Sequence, residues 1–341
     1  MNLRELSQIL GLSTTTVSRA LNGYPEVSEL TRARVAKAAS DYGYAPNNYA
    51  RRLATGRTHS IGLVIPLAEH QMINPVFADF LAGAGEVYSA AGYDSVLSIV
   101  PEVDEVASYR AMASERKVDG LLVSAPRVND PRLEILADLG LPFIFHGRTG
   151  DADEGYSWID INNRRAFRRA TELLIHMGHR RIVLINGQEA LAFAARRRLG
   201  YEEALIEAGL PIDPDLMRQD EMTEPFGYEE ARKFLEREAP PTAFLTSSIL
   251  SAYGVLRAVR EAGLQLGREV SIITHDDDLS FLPNSGDVPL FTATRSSVRA
   301  AGKRAAQMLI DLIKSPGLPP RTELWEVDLT IGRSTGPVPN R

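Results

Sequence analysis

Apolar positions in the first 45 residues recur at helical spacing. Leu3, Leu6 and Leu10 mark one segment, Val17 and Leu21 a second that opens at Ser13, and Val35, Ala38, Ala39 and Tyr42 a third from about Glu29 to Tyr42. Gly11 suits the left-handed conformation of a sharp turn, and Ser13 is placed to accept a hydrogen bond from an exposed backbone N–H of the next helix. The pattern predicts helix, tight turn, helix, then a third helix, with Leu6, Leu10, Val17 and Leu21 as the inner seam and Arg32, Arg34 and Lys37 outward. The outer face of the second helix carries Thr14, Thr15, Thr16, Ser18, Arg19 and Asn22. All are small or polar hydrogen-bonding groups of the kind that suit a DNA major groove.

From Ser60 the texture changes to short apolar runs alternating with amphipathic stretches: SIGLVIP, YDSVLSIV, GLLVSAP and PFIFHG, then RIVLING, TAFLTSS and VSIITHDD from near His179, closing on WEVDLTIG. Repeated strand–helix–strand units imply parallel sheets, here two similar Rossmann-like α/β lobes. Chain crossings are expected near Asp160, Leu290 and Gly317, the last inside the breaker cluster SPGLPP. That places the first lobe at about 58–160 and 291–317, and the second at about 161–290 and 318–341. Ligands of open α/β sheets sit beyond the carboxyl ends of the strands. Asn74, Phe77, His146, Arg148 and Asp276 fall at such positions, and Phe77 or Trp158 supplies an aromatic face for a pyranose ring.

Composition changes this picture in two ways. The chain has 341 residues, 44% apolar and 24% charged, with no cysteine. That is enough for more than one core, and it removes disulfides, thiolate metal sites and Cys nucleophiles. The start, MNLRELSQILGL, interrupts its apolar positions with charges, so neither a signal peptide nor a membrane segment is expected and the cytoplasm is the expected location. The net charge of −6 conceals an asymmetry: residues 1–57 carry eight Lys/Arg against four Asp/Glu, the remainder 30 against 40. A small basic head precedes an acidic body.

Several enzyme-like signals fail on their context. Gly332, Ser334 and Gly336 match a hydrolase elbow, but only five residues follow and none is acidic or histidine. His176 and His179 lack a further ligand beside them, and Gly178 marks a helix end whose dipole favours a terminal histidine. Asp276, Asp277 and Asp278 lack calcium-loop spacing, and Gly83 and Gly85 lack the third glycine of a dinucleotide fingerprint. Neither metal nor cofactor is expected, and no convergent acid/base or nucleophile set points to an enzyme.

The run LSTTTVSRALNGYPEVSELTRARVAKAASDYGYAPNNYARRLATG resembles the LacI/GalR repressor signature from recognition helix through hinge without a gap. The resemblance implies that Thr14, Thr15 and Arg19 read base edges while Ser13, Thr16, Ser18, Asn22, Ser28 and Thr31 contact phosphates. It implies a helix-turn-helix domain at 1–46, a hinge helix and linker at 47–57, and an effector-binding and dimerisation body at 58–341, of periplasmic-binding-protein type. A lone helix of about eight residues is marginal in water, which makes the hinge conditional on DNA or a partner chain. In the family it enters the minor groove, here with Asn47, Ala50, Leu53 and Ala54, Leu53 as the wedge. Arg197 to Gly200 matches the family's effector-contacting Arg-x-x-Gly motif. Thr274 to Asp277 stands for its Gly-Phe-Asp-Asp, with Asp276 at the effector position, and Asn162-Asn163 stands for its usual Asp-Asn. The implied function is a homodimeric repressor of sugar-catabolism genes, bound to pseudo-palindromic double-stranded operator DNA and released by a sugar, with an α-glucoside as the leaning. A regulator that needs a corepressor is the alternative; a sugar-transport protein would have no use for residues 1–57.

Overall fold

The computed structural model describes residues 1–21, 23–44, 57–67, 75–150 and 155–339. The chain divides into two compact units, Met1–His59 and Ser60–Arg341. Asn22, Asn47, Ala50, Leu53, Ala54 and Asn74, and with them nearly all of the expected hinge, lie outside the described residues.

The first unit holds α1 (Leu3–Leu10), α2 (Thr14–Leu21) and α3 (Glu29–Asp41). Asn2 caps α1 in a reciprocal box with Glu5, and Gly11 ends it at φ 64°, the left-handed turn that the pattern required. Leu6, Val17 and Val35 are fully buried, with Leu10, Ala20, Ala38 and Ala39 around them. One expectation is corrected. Tyr42 is 54% exposed, because α3 ends at Asp41 and Tyr42 is its cap; Tyr44 packs on the cluster instead. Arg34 is exposed, as expected, and donates to the Leu10 carbonyl at 2.9 Å, satisfying an orphan acceptor at the end of α1.

The second unit contains two six-stranded sheets. The first joins β1 (Ser60–Leu67), β2 (Asp94–Pro101), β3 (Gly120–Ser124), β4 (Phe143–His146), β5 (Ser157–Ile161) and β11 (Thr322–Trp325), in the order β11-β5-β4-β3-β1-β2. The second joins β6 (Ile182–Asn186), β7 (Met217–Gln219), β8 (Ala243–Thr246), β9 (Ser271–Asp276), β10 (Thr292–Arg295) and β12 (Asp328–Thr330), in the order β12-β10-β9-β8-β6-β7. All pairs are parallel except β10 with β12. Each lobe thus winds out from its first strand in both directions. The switch points lie between β1 and β3 and between β6 and β8, and at their carboxyl ends such folds open a crevice.

Helices cover both faces: α4 (Pro75–Ala90), α5 (Glu105–Ser114) and α6 (Arg132–Asp138) in the first lobe, α7 (Asn163–His176), α8 (Ala192–Glu207), α9 (Glu224–Leu235) and α10 (Ile249–Glu261) in the second. The helix α11 (Val298–Lys314) returns to the first lobe and packs on α4. The chain therefore crosses after Ile161, after Arg295 and after Trp325, not near Leu290 and Gly317. The run Thr292–Arg295 is polar in composition yet buried beside β9, so it carries no apolar strand signal. The SPGLPP cluster separates α11 from β11 within one lobe rather than marking a passage between lobes.

His176 is the last residue of α7, the end at which the helix dipole favours a histidine, while His179 lies beyond it. His179 is buried, its Nδ1 2.8 Å from Thr242 Oγ1 and its Nε2 3.1 Å from Ser271 Oγ and the Gly336 carbonyl. Burial lowers its pKa, so a neutral ring stitches the C-terminal segment to the second sheet. Ser334 works in the same seam: its hydroxyl donates to the Ile272 carbonyl at 2.5 Å and accepts from the Thr292 N–H at 2.8 Å. Among the described residues no helix is long and apolar enough to cross a membrane, and no group of three or more His, Cys, Asp or Glu could hold a metal ion.

Candidate functional site

In the first unit, Ser13 and Ser28 cap α2 and α3 in the same way. The Thr16 N–H donates to Ser13 Oγ at 3.0 Å and the Thr31 N–H to Ser28 Oγ at 3.3 Å, with each pair of hydroxyls 2.8 and 2.9 Å apart. Four residues expected at phosphates thus cluster at two helix N-termini, where unsatisfied amides and the helix dipole favour anions. Thr14, Thr15 and Arg19 are exposed on α2, while Thr16 and Ser18 are half-buried.

In the second unit, side chains from both lobes converge beyond the strand ends. His146, last in β4, lies flat on Phe80 of α4 with ring centroids 4.1 Å apart, and Phe77 also stacks with Phe80, at 6.1 Å. Burial pushes the His146 imidazole down to about 4, overriding the attraction of Asp277, so it is neutral at ordinary pH. From α8, the Arg197 guanidinium lies between Phe167 and Phe193, with ring centroids 5.0 and 4.9 Å away. Its Nε donates to Asn163 Oδ1 at 2.7 Å and its Nη1 to the Ser247 carbonyl at 2.5 Å. Burial pushes it down to about 10 against the opposing pull of Asp277 and Asp160; it remains a cation.

Of the two aspartates in the motif, Asp277 shares this environment. Burial raises its pKa, but His275, Arg197 and His146 together hold it below the usual carboxylate range. The nearest of these, His275 Nε2, is 3.5 Å from Asp277 Oδ1. Asp276 is the last residue of β9 and fully buried. Its Oδ1 accepts from the Asp278 N–H at 2.9 Å, its Oδ2 has no hydrogen-bond partner, and burial raises its pKa. Successive residues at a strand end point to opposite sides, and of the two carboxylates it is Asp277 whose charge is influenced by Arg197.

Arg148 and Trp158 are brought together, but as a structural pair. Arg148 Nε lies 3.3 Å from Asp160 Oδ2 and its guanidinium sits 5.6 Å over the Trp158 ring. Trp158 packs with Phe145 and Tyr156 in the first lobe's core and is 5% exposed. Asn186 and Ser247, which sequence reading passed over, stand at the ends of β6 and β8 beside the switch point. Ser247 Oγ donates to Asn186 Oδ1 at 2.6 Å and the Ser247 carbonyl holds Arg197. Their place at the ends of RIVLIN and TAFLTS was the available signal.

A helix-turn-helix unit followed by a two-lobed binding-protein body defines the class of ligand-responsive transcription regulators. Residues 3–47 match the model of bacterial regulatory proteins of the lacI family, and residues 58–330 that of periplasmic binding proteins and the sugar-binding domain of the LacI family. The chain belongs to the LacI family, whose members are transcriptional regulators and not enzymes. The HTH-type transcriptional regulator AglR of Rhizobium meliloti (strain 1021) is 47% identical over 342 residues, covering 100% of this chain and 96% of that protein. CelR of Thermobifida fusca is 30% identical, covering 97% of each. Among solved structures, the CelR–cellobiose complex superposes with a TM-score of 0.71 at 28% identity, over 98% of this chain and 99% of that one. The lac repressor dimer bound to operator shares the fold, with a TM-score of 0.80 at 22% identity and the same coverage.

Proposed function

We propose that this regulator represses sugar-utilisation genes from the cytoplasm and leaves its operator when a neutral sugar, an α-glucoside by preference, occupies the cleft. The observation that carries the reading is the convergence of Arg197, Asp277 and a neutral, ring-stacked His146 from two lobes. A cation and a carboxylate hydrogen-bond sugar hydroxyls, and apolar rings pack the C–H faces. The cellobiose held by the related CelR supports the same ligand class. Arg197 and Asp277 hold hydroxyls, with Phe77 and His146 at the ring and Asp276 as a carboxylate beneath them.

On DNA, Thr14, Thr15 and Arg19 read bases, and Ser13, Thr16, Ser18, Asn22, Ser28 and Thr31 position the domain on phosphates. Residues 47–57 form the conditional hinge, with Leu53 the wedge and Asn47, Ala50 and Ala54 along the minor groove. Two chains pair through the second unit. In support, the edge strand β2 turns Leu97 and Ile99 outward, 41% and 47% exposed, and Val103 follows at 89%. Such an apolar edge calls for cover. A two-fold dimer implies two operator half-sites related by symmetry.

The test is fluorescence anisotropy on the protein's own upstream DNA, titrated with maltose, sucrose, trehalose and cellobiose. Release by one of them is the expected result; operator binding that needs one of them reverses the sign to corepression. Indifference to all of them defeats the ligand assignment.

A further inference from the structure

We propose that Arg196 is the latch of the cleft: a guanidinium of the second lobe that grips the first and sets how long the site around Arg197 keeps its ligand. The proposal rests on reading that cleft as the sugar site.

Arg196 lies in α8, is 6% exposed, and reaches across to a loop of the first lobe. Its Nη1 donates to the Arg148 carbonyl at 2.8 Å and its Nη2 to the Gly150 carbonyl at 2.7 Å. A planar fork meeting two acceptors is a use that arginine serves and lysine does not. The acceptors are held ready from within the first lobe, since the Gly147 N–H donates to the Ile159 carbonyl at 2.8 Å and the Thr149 N–H to Tyr156 Oη at 3.0 Å. Beneath the grip lies Asp160 of β5, its Oδ2 3.8 Å from Arg196 Nη1 and 3.3 Å from Arg148 Nε. One buried carboxylate between a guanidinium from each lobe draws the lobes together.

The same carboxylate is wired to the ligand residue. Asn163, where the chain first crosses between lobes, donates from Nδ2 to Asp160 Oδ1 at 3.3 Å and to the Ile161 carbonyl at 3.2 Å, while its Oδ1 accepts from Arg197. Two successive arginines of α8 therefore end on one polar chain, Arg197 toward the ligand and Arg196 toward the opposite lobe. Other links span the lobes: the Ala192 N–H to the Pro126 carbonyl, the Val128 N–H to the Ala190 carbonyl, and Ser280 to Asp79. None of them runs through the residues that hold Arg197. Arg196 acts through this chain, so it is a positioning residue.

The experiment uses the full-length protein in a Trp325→Phe background, which leaves Trp158, under Arg148, as the sole tryptophan. Stopped-flow emission is followed with maltose, sucrose, trehalose and cellobiose for the parent, Arg196→Met and Arg196→Lys, after each variant is shown to unfold cooperatively. Arg196→Met is expected to speed sugar dissociation at least tenfold and leave association within about twofold; Arg196→Lys falls between. Hydrogen exchange without sugar is measured in parallel, and Arg196→Met is expected to speed exchange at Gly147 and Thr149. Parent-like dissociation, or unchanged exchange at both amides, overturns the latch. Should no sugar move the parent's emission, the sugar reading fails, and the exchange result alone decides Arg196.

Discussion

Arg19 stands exposed on α2, the helix proposed to read base edges. Removing a two-pronged base contact costs discrimination, whereas removing a phosphate contact lowers affinity for every sequence alike. Arg19→Ala is expected to narrow the preference for operator over scrambled DNA by about 1–3 kcal/mol, measured as paired anisotropy titrations at one salt concentration. Ser13→Ala and Ser28→Ala weaken both DNAs together, and each also loses about 1 kcal/mol of helix stability with its cap. An equal loss on both DNAs for Arg19→Ala would make it a phosphate contact. In the second unit, His146 and Asp160 oppose each other in pH. His146 is held down to about 4 from 6.5 by burial. The unfolded chain therefore takes up its proton first, and stability falls as pH drops from about 6.5 to 4. Asp160 is raised from 3.8 to about 6, again by burial, against Arg196 and Arg148. The folded chain then takes up the proton first, and stability is recovered as pH falls from about 6 to 4. Each effect is at most about 3 kcal/mol. Measured against the parent by denaturant unfolding, His146→Gln is expected to gain relative stability on acidification from pH 7 to 4.5, and Asp160→Asn to lose it. Parallel slopes for the two variants would contradict both assignments.

Helices in this fold meet at glycines, and the sequence shows the glycines without showing which are contacts. Gly83 and Gly85 of α4 look alike in the chain, yet a Cβ on Gly83 would lie 2.1 Å from the Arg299 carbonyl of α11, while one on Gly85 meets nothing within 4 Å. Gly83→Ala is expected to lower the thermal midpoint by forcing α4 off α11, and Gly85→Ala to raise stability by about 0.5–1 kcal/mol through helix propensity. Equal effects in calorimetry would refute the close approach. Gly200 of the Arg-x-x-Gly motif is another such contact, where a Cβ would lie 2.0 Å from the Arg164 carbonyl, so the motif's glycine packs two helices. Local pattern made the three-helix head and the two Rossmann-like lobes legible, because burial imposes a strict period on apolar residues; Arg197 was singled out only through the family motif. The pattern did not reveal the crossings after Arg295 and Trp325, where polar or short segments join a sheet laid down by distant chain. Nor did it separate Asp277 from Asp276. The two differ because β9 stops at Asp276, and one residue of register reverses the side to which a side chain points.

Regulation requires that ligand and DNA each change the protein's affinity for the other, and thermodynamic linkage makes those two changes equal in magnitude. The described candidate site residues all lie within Ser60–Arg341 and the helix-turn-helix within Met1–His59, and the coupling is expected to depend on the proposed hinge at 47–57. A body beginning at Ser60 is expected to bind the effective sugar with the dissociation constant of full-length protein free of DNA. Full-length protein saturated with operator is expected to bind it about 5–150-fold more weakly, the range that 1–3 kcal/mol of coupling produces. The same factor must appear as the loss of operator affinity at saturating sugar. Leu53→Ala, at the proposed wedge, is expected to weaken operator binding and shrink both factors together while leaving the sugar affinity of the free protein unchanged. Calorimetric titrations of sugar into the three states, set against anisotropy titrations of operator, close this cycle. A tighter sugar affinity on operator would establish corepression in place of induction. A Leu53→Ala protein that retained the whole factor would place the coupling outside the proposed hinge.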